Sequence, residues 1–276
     1  MVIILLLSFV AGLAIGSFIS AYTYRTPKEK SVKVGRSFCP KCKEKIAWYD
    51  NIPLISYLFL KGKCRRCQKK ISIRYPLVEF ATAFLFVLVT YYFFNCGSGV
   101  LGGYVASIYC SWRDIVGVIA LPFLLVVVSV LVSVFVVDFE NNLIFDSNVF
   151  LLFAVTAVLL IFSPAETLYT RFLTGFSFAS FLLLIHLLTK GKGMGLGDVK
   201  LAIPLGMILD WRGSFVWMFL SFVIGAVVGL VLIFLKKAKF GRQIPFGPFL
   251  VASFFLALFC GHIYFGDLFP YLTLFK

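Results

Sequence analysis

Apolar runs of about the length needed to cross a bilayer recur along nearly the whole chain, and they restrict the fold more than any other feature. They read as 2–22, 77–95, 116–137, 143–163, 169–189, 199–211, 214–235 and 246–265. A helix rising about 1.5 Å per residue needs about 20 residues to cross a hydrocarbon core of about 30 Å. Inside lipid only helices or closed barrels satisfy every backbone N–H and C=O. Composition agrees: 61% of the 276 residues are hydrophobic and 14% charged, against about 45–50% apolar and about 25% charged in soluble domains. The expected fold is an all-α polytopic membrane protein with about eight transmembrane helices. The run at 199–211 is short and contains Pro204 and Gly206. It is expected to be tilted, broken or re-entrant, where protein or water satisfies its backbone.

The net charge of +14 is concentrated, with 15 of the 26 Lys and Arg between Arg25 and Arg74. Beside a membrane span, such a block reads as a cytoplasmic loop under the positive-inside rule, suited to lie against anionic headgroups. It is a poor nucleic-acid footprint, and no nucleic-acid partner is expected. Val2–Tyr22 has no basic residue before it and many after it, the reverse of a secretory signal. It is read as an uncleaved first helix (1–22) with its N-terminus outside. Residues 23–76 follow as a polar cytoplasmic insert, and 77–276 as the membrane core. Alternation then puts loops 138–142, 190–198 and 236–245 inside and both termini outside. Arg113, Arg171 and Arg212 fall towards outer turns.

Within the insert stand Cys39-Pro40-Lys41-Cys42 and Cys64-Arg65-Arg66-Cys67. Two such knuckles can close a tetrahedral thiolate shell around zinc. The surrounding cations favour the thiolate form. Redox-active CxxC pairs and disulfides are the alternatives. No His or carboxylate beside the knuckles reads as a catalytic zinc ligand, so a zinc here would be structural and would fold an insert too polar to build its own core. Cys96 and Cys110 lie on the expected outer side, either disulfide-bonded or unpaired, and Cys260 reads as packing.

Two aspartates end apolar runs on the expected cytoplasmic side. Asp138 follows Phe135-Val136-Val137, and Asp198 lies in Gly193-Met194-Gly195-Leu196-Gly197-Asp198-Val199-Lys200. Carboxylates at a bilayer edge are costly and tend to mark function. Two that meet can share a proton across a water, the chemistry of an aspartic protease. The competing reading makes each a helix cap, and Asp146, nearer the start of the next helix, fits that role better still. Gly195 and Gly197 would form the loop at the site, and Lys200 would stabilise a carboxylate or orient substrate. His186 reads as an interhelical hydrogen-bonding residue. No Ser-His-Asp arrangement or HExxH is present, which argues against serine and metalloprotease chemistry.

These residues together resemble the type IV prepilin peptidase family, the bifunctional leader peptidases and N-methyltransferases of type IV pili and related protein secretion systems. The resemblance runs from Gly16-Ser17-Phe18 and Tyr24-Arg25 through the knuckles, Tyr49 to Tyr57 and Arg74-Tyr75-Pro76-Leu77-Val78-Glu79. It continues through Asp138, the GxGD string and Ile244-Pro245-Phe246-Gly247-Pro248-Phe249. It implies a multi-pass enzyme of the bacterial cytoplasmic membrane, with Asp138 and Asp198 catalytic and facing the cytoplasm. Its partners would be prepilin or pseudopilin substrates and the lipid bilayer. The leader would be cleaved after a glycine, and the new amine methylated from S-adenosyl-L-methionine. The four cysteines favour the bifunctional form. A peptidase without methyl transfer and a non-catalytic zinc-stabilised scaffold for pilus assembly are the alternatives. The family usually has a hydrophobic-Pro-Asp sequence where this chain has Ile144-Phe145-Asp146, which weakens any role carried over to Asp146. The residues of methyl transfer are not assigned; Glu79 and the basic insert read equally well as a helix-start acid and headgroup-facing charge.

Overall fold

The computed structural model describes residues 1–28, 37–95, 113, 117–236 and 244–268, with backbone alone from 260 onward. Cys96, Cys110 and the side chain of Cys260 lie outside the described residues. The helices are α1 (Val2–Arg25), α2 (Ile55–Phe59), α3 (Arg74–Phe94), α4 (Ala120–Asn141), α5 (Asp146–Ile161), α6 (Ala165–Leu188), α7 (Leu196–Ile208), α8 (Trp211–Phe234) and α9 (Gly247–Leu268). Among the described residues, β-pairing is confined to the isolated bridges Phe38–Lys45 and Lys63–Lys70. Each apolar run therefore carries a helix, and the all-α membrane fold stands. Among the described residues, five helices are long and apolar enough to cross a membrane by length and composition: α1, α3, α4 with its preceding turn, α6 and α8. That is fewer than the eight expected from the runs.

The chain forms two compact units, Met1–Phe94 and Asn95–Lys276. In the first, α1 and α3 make an antiparallel pair whose register is written in small residues. Ser8, Gly12, Gly16 and Ser20 recur every fourth position on the buried face of α1. A Cβ on Gly12 would stand 2.5 Å from Ala83 Cα, and one on Gly16 would stand 2.7 Å from Glu79 Cα. Lipid tails are as apolar as leucine, so helix association in a membrane depends on such close approach and on interhelical hydrogen bonds. Thr90 Oγ1 donates to Ser8 Oγ at 2.9 Å near one end, and Arg74 Nη2 donates to Thr23 Oγ1 at 2.6 Å near the other.

In the second unit α7 is the central element, touching α5, α6, α8 and α9. Its 13 residues rise only about 20 Å, too short to cross a bilayer. Most of its side chains from Asp198 to Ile208 are buried, so it is enclosed by protein. Pro204 does not interrupt it, so of the expected tilted, broken or re-entrant forms the broken one does not occur. Close packing against α6 runs through Gly175, where a Cβ would stand 2.5 Å from Ile203 O. Arg171 corrects the sequence reading: it lies inside α6 rather than in an outer loop. Its buried guanidinium donates to Ile208 O at 2.5 Å and Met207 O at 3.4 Å, satisfying carbonyls that the end of α7 leaves without an intrahelical donor.

Candidate active site and metal centre

Asp138 lies in the last full turn of α4. The helix closes on Asn142, whose left-handed backbone (φ 52°, ψ 43°) returns its N–H to Asp138 O. Asp138 is therefore not the cap of the following helix. Its side chain is buried, and Oδ2 accepts from Gly247 N at 3.0 Å. Gly247 opens α9, so the donor is an amide at the positive end of a helix, where negative charge is favoured.

Asp198 sits in the first turn of α7, three residues after the N-cap Gly195. Its Oδ2 accepts from Gly195 N at 3.2 Å, half of a capping box. The cap reading is thus right for one oxygen. The other, Oδ1, is buried and has no hydrogen-bond partner among the described residues. Leaving a buried polar atom unsatisfied costs about 1–3 kcal/mol, which local capping does not explain.

The two aspartates lie within electrostatic reach of one another. Ile144, in the turn between α4 and α5, packs between the glycines that flank them. Its Cδ1 is 3.2 Å from where a Gly247 Cβ would stand, and its Cβ is 3.0 Å from where a Gly197 Cβ would stand. A Cβ on Gly247 would itself lie 2.6 Å from Asp138 Oδ2. The glycines at 195, 197 and 247 therefore do different work: two present N–H groups to carboxylates, and Gly197 admits Ile144.

Lys200 does not reach Asp198. Its Nζ meets Asp146 Oδ1 at 2.7 Å, and both side chains are largely exposed. Asp146 is the first residue of α5, after the N-cap Phe145. The pair stands at the mouth of an apolar hollow of about 250 Å³ lined by Val149, Phe150, Phe153, Ile203 and Pro204. His186 and Thr189 are braces whose positioning role the sequence reading did not assign. His186 Nδ1 lies 2.7 Å from Met194 O, and Thr189 Oγ1 accepts from Gly193 N at 3.2 Å. Together they shape the loop that delivers Gly195. A histidine and a threonine ending a helix just before a glycine-rich turn was the available signal.

The cysteines form a second centre, in the first unit. Each knuckle repeats one geometry: Lys43 N donates to Cys39 O at 2.8 Å, and Gln68 N to Cys64 O at 2.9 Å. Lys43 and Gln68 adopt φ of 61° and 56° to close the turns. The four sulfurs lie within 4.8 Å of one another, with Cys39 Sγ and Cys67 Sγ 4.0 Å apart. Zinc–sulfur bonds of about 2.3 Å in a tetrahedron place sulfurs about 3.8 Å apart, so the cluster fits a zinc site. Its thiols also oppose one another. Burial raises Cys39, but the Cys42 and Lys41 amides and neighbouring thiols outweigh it and draw Cys39 down to about 7. The Glu44 amide lowers Cys42, but burial and the crowding of Cys39 and Cys67 prevail and push it up to about 11. A cation removes that conflict.

Two family models match the chain: the Bacterial Peptidase A24 N-terminal domain over residues 10–93 and the Type IV leader peptidase family over residues 125–230. A prepilin leader peptidase/N-methyltransferase of Stutzerimonas stutzeri is 32% identical over 93% of this chain and 90% of its own length. One of Neisseria gonorrhoeae is 33% identical over 90% of this chain and 87% of its own. One of Vibrio cholerae is 28% identical over 92% of this chain and 96% of its own. No solved structure matches.

Proposed function

Because the chain belongs to the type IV leader peptidase family, we propose that it cleaves the leader from type IV prepilin-like proteins, with Asp138 and Asp198 as its catalytic pair. The observation that carries this reading is two buried carboxylates on different helices, each oriented by a glycine N–H and within reach of the other's charge. In the reaction, the ionised carboxylate takes a proton from water as the water oxygen bonds to the scissile carbonyl carbon. The protonated carboxylic acid gives its proton to the carbonyl oxygen. Collapse of the resulting gem-diol breaks the C–N bond, with a proton delivered to the leaving nitrogen. Asp198 Oδ1, without a hydrogen-bond partner among the described residues, is an oxygen available for these transfers. Burial of α7 keeps bulk water from weakening the electrostatics of the site.

The second reaction is N-methylation of the new terminal amine, with S-adenosyl-L-methionine supplying the methyl group. Glu79, the buried acid of Met1–Phe94, accepts from Leu54 N at 2.8 Å. It thus serves as a backbone anchor, and methyl transfer is assigned to no residue. Cys39, Cys42, Cys64 and Cys67 would hold a structural Zn²⁺ that folds the insert. Residues 1–22 form the first span, 23–76 the cytoplasmic insert and 77–276 the core carrying the peptidase. The protein resides in the bacterial inner membrane, with both termini outside and the aspartates at the cytoplasmic face. Its substrates are prepilins or pseudopilins.

The test is purified protein with a prepilin and S-adenosyl-L-methionine, read by the mass of the product's N-terminus. Asp138→Asn and Asp198→Asn should each abolish cleavage while zinc content and insertion persist; processing by the double variant would remove the two aspartates from the catalytic role. Cleavage without added methyl mass would retain the peptidase and remove the second reaction.

A further inference from the structure

The peptidase chemistry proposed for Asp138 and Asp198 uses nothing from the segment Trp48–Phe59, yet that segment is held in a costly conformation. Leu54 has φ +58° and ψ −49°, and Ile55 N donates to Pro53 O at 2.6 Å. This is the γ-turn of positive φ, rare and strained for a residue with a Cβ. The N–H of Leu54 is anchored on Glu79 Oε2 at 2.8 Å. Glu79 lies five residues into α3, and a helical side chain leans towards its helix's N-terminus. Leu54 is therefore pinned about one turn, about 5 Å, inside the Arg74 end of a membrane-length helix.

From that depth α2 projects a bare apolar face. Ile55, Leu58 and Phe59, spaced for one side of a helix, are 49%, 72% and 83% exposed, and Trp48 on the preceding turn is 75% exposed. The turn is tied to the second knuckle because Arg65 grips Asp50 with two nitrogens, Nε to Oδ2 at 2.9 Å and Nη2 to Oδ1 at 2.7 Å. Around the face the charge is predominantly positive. Residues 37–73 carry nine Lys or Arg against Glu44 and Asp50, a net of +7, which a zinc tetrathiolate would lower to about +5. Lys61, Lys63, Arg66, Lys69 and Lys70 are exposed.

We propose that Trp48–Phe59 is an interfacial membrane anchor. Trp48, Leu58 and Phe59 enter the boundary between headgroups and acyl chains of an anionic leaflet, and the basic knuckles rest on its phosphates. An aromatic and aliphatic face beneath a basic rim is the chemistry of a surface-lying element, and each cation near an anionic surface adds to the attraction. The Glu79 anchor then has a purpose: it sets the depth at which the face meets lipid. A protein partner would explain the apolar face, but not its registration against a membrane helix together with the net positive charge around it. This inference rests on α3 spanning the membrane and is independent of the catalytic reading.

The test places a benzophenone amino acid at position 59 of the full-length, zinc-loaded protein in nanodiscs of phosphatidylglycerol or phosphatidylcholine. Position 84 on α3, where Phe84 is 50% exposed, serves as the lipid-facing control. Photolysis is expected to give lipid adducts at both positions, several-fold more at 59 in the anionic discs, with that excess reduced in a Lys69→Gln/Lys70→Gln background. Hydrogen exchange of the amides at 55–62 is expected to be slower in anionic discs, and Leu58→Asp/Phe59→Asp to remove that protection with zinc retained. Lipid adducts at 84 but none at 59 would overturn the proposal, as would adducts at 59 that form only with added prepilin. Equal exchange in both lipids would overturn its electrostatic half.

Discussion

Gly247→Ala isolates the geometry of the aspartate pair from its chemistry, because it removes no carboxylate. The new Cβ would stand 2.6 Å from Asp138 Oδ2 and 3.2 Å from Ile144 Cδ1. Restoring even a 3.0 Å carbon–oxygen separation requires a shift of at least about 0.4 Å, and Ile144 hinders escape on one side. Either the carboxylate moves, or the backbone of α9 withdraws and the 3.0 Å bond from Gly247 N lengthens. Misplacing a reacting group by about 1 Å can cost about 100-fold, so kcat should fall about 10- to 100-fold with little change in KM. Stability should respond less. Loss of the N–H bond to a buried carboxylate costs about 1–3 kcal/mol, while alanine in place of glycine returns up to about 1 kcal/mol of helix propensity. The assay is prepilin cleavage under single-turnover conditions beside a thermal melt in detergent. Gly229→Ala is the control, since among the described residues its Cβ would meet only Ile244 Cδ1, at 3.8 Å. Wild-type cleavage by Gly247→Ala would refute the view that this amide positions Asp138.

Asp146→Asn should be nearly silent: an exposed ion pair with Lys200 contributes about 0–1 kcal/mol, so cleavage should stay within about fivefold of wild type, and a larger loss would give Asp146 a direct role. Cys39→Ser should abolish stoichiometric zinc, measured by metal analysis after dialysis. In the intact protein, metal should be released as pH falls, because binding requires thiolates and protons compete for them; retention at acid pH would exclude thiolate ligation. Gly12→Leu should destabilise the α1–α3 pair by about 1–3 kcal/mol or more through overpacking, seen as a lower melting temperature, since even its Cβ would be 2.5 Å from Ala83 Cα. An unchanged melt would show that the two helices do not depend on that contact.

Much of this protein is readable along one dimension. Apolar run length alone determines that the chain is helical and membrane-embedded, because an unpaired backbone cannot remain in lipid. Cysteine spacing predicts a metal centre because each knuckle is a local turn, closed by Lys43 and Gln68 within five residues of its first sulfur. The period-four stripe on α1 gained its meaning only from the structure, which shows that α3 is the helix it receives. Loop charges lead to the expectation that Asp138 and Asp198 share one side, without saying what orients them.

The tertiary structure decided the rest. Gly247 lies 109 residues from Asp138, and nothing in a glycine between Phe246 and Pro248 announces that its N–H will serve a carboxylate. Arg171 reads as an outer charge until α6 carries it against the end of α7, where carbonyls need a donor. Lys200 sits two residues from Asp198, but successive helical side chains diverge by about 100°, so it turns to Asp146 instead. Sequence by itself determined what is local: apolar helices, knuckles and the acids worth watching. Only the packed chain determined which amide meets which oxygen, because hydrogen-bond direction depends on how distant helices approach to within a few tenths of an ångström.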